Sequence, residues 1–128
     1  MSKKILIIDD DDRNIFALNA VLKARKFDCL SAYSGEDALR LLKDTPGIDV
    51  ALVDMMMPGM DGYELIGQIR NEPSLQHLPV IAVTAQAMNG DEEKCLEAGA
   101  DGYISKPVDL DKLLRVIGGL FIGNNSGE

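Results

Sequence analysis

Short apolar runs and longer segments with helical spacing of apolar residues alternate along this chain. Residues 3–8, 28–33, 49–53, 79–83 and 101–105 are predicted as strands. The first, third and fourth are nearly continuous apolar runs, the mark of strands buried on both faces. Helices are predicted at 13–26, 35–44, 62–71, 89–98 and 109–118. Their apolar stripes are Ile15, Leu18, Val21 and Leu22; Ala38, Leu41 and Leu42; Leu65, Ile66 and Ile69; and Leu110, Leu113, Leu114 and Ile117. Ser34 with Asp37 and Asn89 with Glu92 have the spacing of capping boxes. Gly99 stands where a left-handed helix terminator belongs, whereas Gly118-Gly119 is expected to fray or kink the fifth helix. Residues 123–128 have nothing to bury and are expected to form a disordered tail behind a single domain of residues 1–122.

Five strands alternating with five helices predict an α/β fold: a doubly wound, five-stranded parallel sheet with helices on both faces. Such sheets hold ligands at the carboxyl ends of their strands. The 128 residues, 46% hydrophobic and 27% charged, suit one globular core and exclude a disordered or fibrous chain. A net charge of −8 disfavours direct binding to nucleic acid or anionic lipid. The longest apolar runs fall far short of the roughly 18 to 20 residues that span a bilayer. Acids from Asp9 onward also interrupt the apolar segment behind the basic Met1-Ser2-Lys3-Lys4 start before it reaches signal-peptide length, so a cytoplasmic location without membrane contact is expected. Cys29 and Cys95 lack metal-site or disulfide spacing and read as small hydrophobes.

The predicted strands end in Asp9-Asp10, Asp54, Thr84 and Lys106, which should meet on one rim. Three adjacent carboxylates repel one another unless a cation neutralises them, and Mg²⁺, which takes oxygen ligands beside phosphate, is the cation expected. Thr84 and Lys106 add a hydroxyl and a positive charge suited to a phosphoryl group. No Cys or His ends a strand and Thr84 has no evident base, so Asp54 is the candidate nucleophile. Asp11 and Asp12 read instead as helix-start acids, Asp61-Gly62 as a turn and helix cap, the methionines at 55–57 and 60 as flexible packing, and His77 as a solvated loop residue.

Four segments carry a resemblance: Ile5-Leu6-Ile7-Ile8-Asp9-Asp10, Val53-Asp54 through Pro58 to Asp61-Gly62, Val83-Thr84-Ala85, and Gly99-Ala100-Asp101-Gly102-Tyr103-Ile104-Ser105-Lys106-Pro107. In this order and spacing the chain, from residue 3 to about 117, resembles bacterial response-regulator receiver domains, the CheY-like family with its flavodoxin-like fold. The resemblance implies that Asp54 accepts a phosphoryl group from a phosphohistidine on a histidine kinase or histidine phosphotransfer protein. It implies that Asp10, Asp54 and the Met56 backbone carbonyl ligate Mg²⁺, with Asp9 acting through water. Lys106, preceding a cis proline bond, would pair with the phosphoryl oxygens, and Thr84 and Tyr103 would form the switch. Met56 and Gln86 would tune the lifetime of the phosphoryl group. The output surface would be the face of the fourth helix, fifth strand and fifth helix, which binds a downstream protein target. Partner choice is expected on the first helix and adjoining loops, including Asn14, Ile15 and Leu18.

Three functions are compatible with these residues. The first is a stand-alone phosphorylation switch or phosphorelay intermediate, favoured by a start at Met1 and an end soon after the fifth helix. The second is the receiver portion of a hybrid histidine kinase, whose receivers resemble Thr84-Ala85-Gln86-Ala87-Met88-Asn89-Gly90. The third is an aspartate-nucleophile phosphatase. Against it, Met55-Met56 follows Asp54 where such phosphatases carry a second acid. Self-phosphorylation and autodephosphorylation are therefore expected, without enzymatic turnover of an external substrate.

Overall fold

The computed structural model describes residues 3–85 and 89–125. Its elements are β1 (Lys4–Ile8), α1 (Asp12–Ala24), β2 (Asp28–Ala32), α2 (Gly35–Asp44), β3 (Val50–Asp54), α3 (Gly62–Asn71), β4 (Val80–Thr84), α4 (Asp91–Ala98), β5 (Gly102–Ser105) and α5 (Leu110–Asn125). All four strand pairings are parallel, in the order β2-β1-β3-β4-β5. The three apolar runs thus lie inside the sheet, and β3 and β4 are buried throughout.

Alternate strand residues divide the core in two. Leu6, Ile8, Ala51, Val53 and Ala82 pack with Ala38 and Leu42 of α2, Leu65, Ile66 and Ile69 of α3, and Cys95 of α4. On the other face Ile5, Ile7, Val50, Leu52, Ile81, Val83 and Ile104 pack with Ile15 and Leu22 of α1 and Leu113 and Ile117 of α5. Right-handed crossovers put α2, α3 and α4 on one face and α1 and α5 on the other, and leave the carboxyl ends of the strands open.

The helix ends mix expectation with correction. Ser34 accepts the Asp37 amide at 3.1 Å, as its spacing predicts, and Asp11 caps α1 by accepting from the Arg13 amide at 2.9 Å. Gly99 ends α4 at φ 119°, where a side chain would be strained. The predicted Asn89–Glu92 box is not the start of α4: the N-cap is Gly90, at φ 86°, and makes no side-chain cap bond. The helix therefore begins at Asp91, two residues later than expected. At the other end, α5 runs through Gly118-Gly119 to Asn125, so residues 123–125, expected in the tail, have helical backbone. Packing overrides the weak propensity of the glycines: Leu120 and Phe121 join the second core, and the Lys3 ammonium lies 4.5 Å from the Phe121 ring centroid.

Arg70, near the end of α3, ties down the amino-terminal side of the sheet. Its guanidinium donates to the carbonyls of Gly99 at 2.7 and 3.0 Å, Leu78 at 2.7 Å and Gln76 at 3.0 Å. It also reaches Asp101 at 2.9 Å, whose same oxygen accepts the Val80 amide. Sequence reading gave Arg70 no role.

Candidate functional site

Asp9 and Asp10 follow β1, and Asp54 closes β3 beside it. The three offer carboxylate oxygens that all lie within 4.8 Å of one another. Asp9 and Asp54 are 3% and 4% exposed, whereas Asp10 is open to solvent, so two of the three charges sit in a poorly screened place. Asp9 is held from three directions: the Asp11 amide donates at 2.9 Å, Asn14 Nδ2 at 3.4 Å and Lys106 Nζ at 3.1 Å. Asn14, expected to serve in partner choice, therefore also reaches the acid cluster.

Lys106 follows β5 and crosses to the acids, with its ammonium 3.1 Å from Asp9 and 3.5 Å from Asp54. Its peptide bond to Pro107 is cis, and its amide donates to the Thr84 carbonyl at 2.7 Å. Burial works against the lysine charge, but the Asp9 hydrogen bond and the charges of Asp54 and Asp9 outweigh it and raise its pKa. The Asp54 carboxyl is also raised, above its ordinary 3.8, chiefly by burial and then by neighbouring Asp9; the bond from the Met56 amide and the Lys106 charge only partly oppose this. One ammonium is thus set against three clustered acids.

The loop after β3 is shaped by alternation. Met55 and Met57 turn into the core, while Met56 is 50% exposed at the mouth, and its amide donates to Asp54 Oδ1 at 3.1 Å. Asp61 closes the loop with a capping box, accepting the Glu64 amide at 2.9 Å and donating its own amide to Glu64 at 3.3 Å. Gly62 allows the close approach: a Cβ there would lie 2.6 Å from Met55 Cα and 3.0 Å from the Asp54 carbonyl oxygen. The sequence signals a turn at Asp61-Gly62, but the contact with β3 becomes visible only in the fold.

Thr84 is buried at the end of β4 beside Ser105. Tyr103 is half-buried, and its hydroxyl donates to Asp91 at 2.7 Å. Gln86 lies outside the described residues. Ile15, expected among the partner-contact residues, is 3% exposed and belongs to the core, because it falls on the inward stripe of α1. Leu18 instead lines a cleft of about 300 Å³ with Asp9, Asn14, Val21, Lys106 and Pro107. A wider hollow of about 640 Å³ lies at the opposite end of the sheet, lined by Lys3, Asp49 and Pro79 among others, away from these groups. His77 is exposed in its loop, and both cysteines are free.

The chemistry of the donor set suits a hard cation. The oxygens are close, the negative charge exceeds what Lys106 supplies, and the soft sulfurs of Met55 and Met57 turn away into the core. Sequence reasoning brought together every member of this cluster. It missed Asp91 of α4, which accepts the Tyr103 hydroxyl, and Tyr63 of α3, which reaches Asp91 in turn; neither carries a local motif.

A five-stranded doubly wound sheet with an acid triad, a threonine and a lysine along its carboxyl edge defines the CheY-like class of signalling domains. The Response regulator receiver domain family matches residues 5–118, and the chain belongs to that family, the receiver domains of two-component signalling. It is similar to the response regulator PleD of Caulobacter vibrioides, 38% identical over 110 residues, which are 85% of this chain and 24% of PleD. The chain therefore spans about a quarter of the length of that relative. The polar-differentiation response regulator DivK of Brucella ovis is 33% identical over 117 residues, covering 91% of this chain and 94% of DivK. Among solved structures, the receiver domain of sensor histidine kinase PA1611 from Pseudomonas aeruginosa superposes with a TM-score of 0.83 at 31% identity, covering 96% and 99% of the two chains. That protein has a magnesium ion coordinated in its active-site cleft. Among the described residues of the present chain, no helix is long and apolar enough to cross a membrane.

Proposed function

We propose that Asp54 is a phosphoacceptor: it takes a phosphoryl group from a phosphohistidine on a histidine kinase or phosphotransfer protein, and the phosphorylated domain presents an altered protein-binding surface. The observation that carries the reading is the set of three acids within 4.8 Å, with Lys106 bridging Asp9 and Asp54. Asp10, Asp54 and the Met56 carbonyl are the groups to hold Mg²⁺, with Asp9 acting through water. When bound, the ion supplies positive charge that offsets the acids and the phosphoryl oxygens. The magnesium of the PA1611 receiver supports this assignment.

The chain's own groups divide the remaining work. Asp54 Oδ attacks phosphorus while the bond to the histidine nitrogen breaks, giving an acyl phosphate and returning the electron pair to the imidazole. The Met56 amide fixes the Asp54 carboxylate, and Lys106, already 3.5 Å away, is placed to pair with incoming oxygens. Thr84 supplies a hydroxyl to the modified group, and Tyr103 follows it, biasing the face of α4, β5 and α5 that meets a downstream target. Met56, half exposed beside Asp54, tunes how easily water reaches the phosphoryl group, and Gln86 is assigned the same part by the family resemblance. The cleft between α1 and Pro107 supports docking of the donor protein beside Asp9. No external substrate is turned over.

The likeness to DivK across 94% of its chain favours a domain that works as a response regulator by itself. A receiver belonging to a hybrid kinase is the second reading, favoured by the PA1611 domain. The experiment is intact mass after incubation with acetyl phosphate, with and without Mg²⁺, on the native chain and Asp54→Asn. A Mg²⁺-dependent, base-labile adduct of one phosphoryl group, lost in the variant, is the expected result. Full phosphorylation of Asp54→Asn would refute the assignment. Lys106→Ala is expected to keep Mg²⁺ binding and lose the conformational response.

A further inference from the structure

Tyr103 and Thr84 share one face of the sheet, since Tyr103 pairs with Ala82 and the next residue on that face, Ser105, pairs with Thr84. The Tyr103 hydroxyl donates to Asp91 Oδ2 at 2.7 Å, at the first residue of α4. The other oxygen, Asp91 Oδ1, accepts from the Tyr63 hydroxyl of α3 at 3.4 Å. Tyr63 is further located by Cys95 Sγ at 3.8 Å and by the Lys94 ammonium 4.9 Å from its ring centroid. One carboxylate therefore joins α3, α4 and β5. Among the described residues no lysine or arginine forms an ion pair with it, so its two oxygens serve the two phenols. The N-cap of α4, Gly90, makes no side-chain cap bond, and the two phenols bond the first residue of the helix.

We propose that Asp91, steadied by Tyr63, is a positioning residue for the switch: it holds Tyr103 against the first turn of α4 and sets how readily that tyrosine leaves when Asp54 is phosphorylated. The inference rests on the phosphoacceptor reading above and adds to it a pair of residues that act through Tyr103. A short hydrogen bond to a carboxylate stabilises the held arrangement only, because moving the ring breaks it. Removing the acceptor shifts the equilibrium toward the moved ring by on the order of tenfold without any phosphoryl group. Removing only the longer Tyr63 bond shifts it less.

The test uses the full chain labelled with 3-fluorotyrosine, whose three fluorine signals, from Tyr33, Tyr63 and Tyr103, are assigned with single Tyr→Phe variants. In EDTA, Asp91→Ala is expected to move the Tyr103 signal toward the position it takes in the phosphorylated native chain, with Tyr63→Phe and Asp91→Asn moving it part of the way. The rate of phosphorylation by acetyl phosphate with Mg²⁺ should rise with the moved population in Asp91→Ala. It should not rise when Asp91→Ala is added to Tyr103→Phe. Far-UV circular dichroism establishes that α4 remains folded, and Tyr63→Phe, which changes no residue of α4, supplies the same readout if Asp91→Ala does not fold. An unmoved Tyr103 signal in these variants, or an equal rate change with and without the Tyr103 hydroxyl, overturns the proposal. Failure of Asp54 to take any phosphoryl group is read separately by mass and overturns the switch reading itself, whatever the fluorine signals show.

Discussion

Replacing Asp54 by Asn should make the cation-free protein more stable. The Asp54 carboxylate is 4% exposed, and one of its oxygens lies within 4.8 Å of one oxygen each of Asp9 and Asp10. With an effective dielectric of about 20, repulsion from buried Asp9 alone is about 3.5 kcal/mol. Attraction to Lys106 at 3.5 Å is about 4.7 kcal/mol on the same scale. Repulsion from exposed Asp10, screened toward about 1 kcal/mol, cancels the remainder. What is left is the cost of burying a carboxylate that accepts one backbone hydrogen bond, from Met56. Asparagine keeps that acceptor, and Lys106 keeps Asp9 at 3.1 Å, so no charge is stranded. The expected gain at pH 7 is about 1–2 kcal/mol, or roughly 3–10 °C in Tm.

The pH dependence fixes the cause. Because burial and Asp9 raise the Asp54 pKa above 3.8, the folded protein binds a proton more tightly than the unfolded chain. Native stability therefore falls as pH rises from about 3.8 through the raised value, and the advantage of the variant grows over that window. Urea unfolding followed by far-UV circular dichroism, in EDTA from pH 4 to 8, measures both chains. A variant less stable than the native protein at pH 7, or a difference independent of pH, would refute the electrostatic account.

Other outcomes follow from single contacts. Arg70→Ala is expected to cost about 2–4 kcal/mol, since it strips the donor from three carbonyls and from Asp101 together; Arg70→Lys should recover only a minor part of the urea midpoint. Gly62→Ala should destabilise by about 1–3 kcal/mol, because the new Cβ meets Met55 backbone at 2.6 Å. Phosphorylation by acetyl phosphate should slow with it, as the loop holding Met56 shifts, and an unchanged rate would show that α3 packing does not position the site. In a spectrophotometric titration, Tyr63 and Tyr103 should ionise above the ordinary tyrosine value of 10, raised first by burial and then by Cys95 and Asp91 for Tyr63 and by Asp91 for Tyr103. Both should move down in Asp91→Ala.

The central strands and the acid cluster were legible because each rests on a local rule. Runs such as Val50–Asp54 announce burial on both faces, and the first polar residue after such a run marks the rim. Places that required tertiary knowledge were misread. Asn89 and Glu92 have the spacing of a capping box, but the N-cap is the left-handed Gly90 and the helix begins at Asp91. Gly118-Gly119 lowers helix propensity, but the half-buried Leu120 and Phe121 pack against the second core and carry the helix onward. Ile15 belonged both to the inward stripe of α1 and to the expected contact surface, and only the first role survives. Tyr63, Asp91 and Tyr103 are separated by 28 and 12 residues, and their meeting depends on α3, α4 and β5 packing side by side.

The same arrangement that weakens the fold gives the site its chemistry. Lys106 bridges Asp9 and Asp54 but leaves the cluster with surplus negative charge, while burial of β3 prevents Asp54 from moving into water to relieve it. A divalent cation bound to the native state relieves the surplus and stabilises by mass action, so native stability should rise with added Mg²⁺. Asp54→Asn lacks both the strain and a ligand, and its stability should respond much less. Stability without the cation and affinity for it are therefore opposed at this residue: a substitution that relaxes the cluster strengthens the fold and removes the phosphoacceptor. A native midpoint indifferent to millimolar Mg²⁺, with the variant behaving identically, would break that link and with it the assignment of Asp10 and Asp54 as ligands.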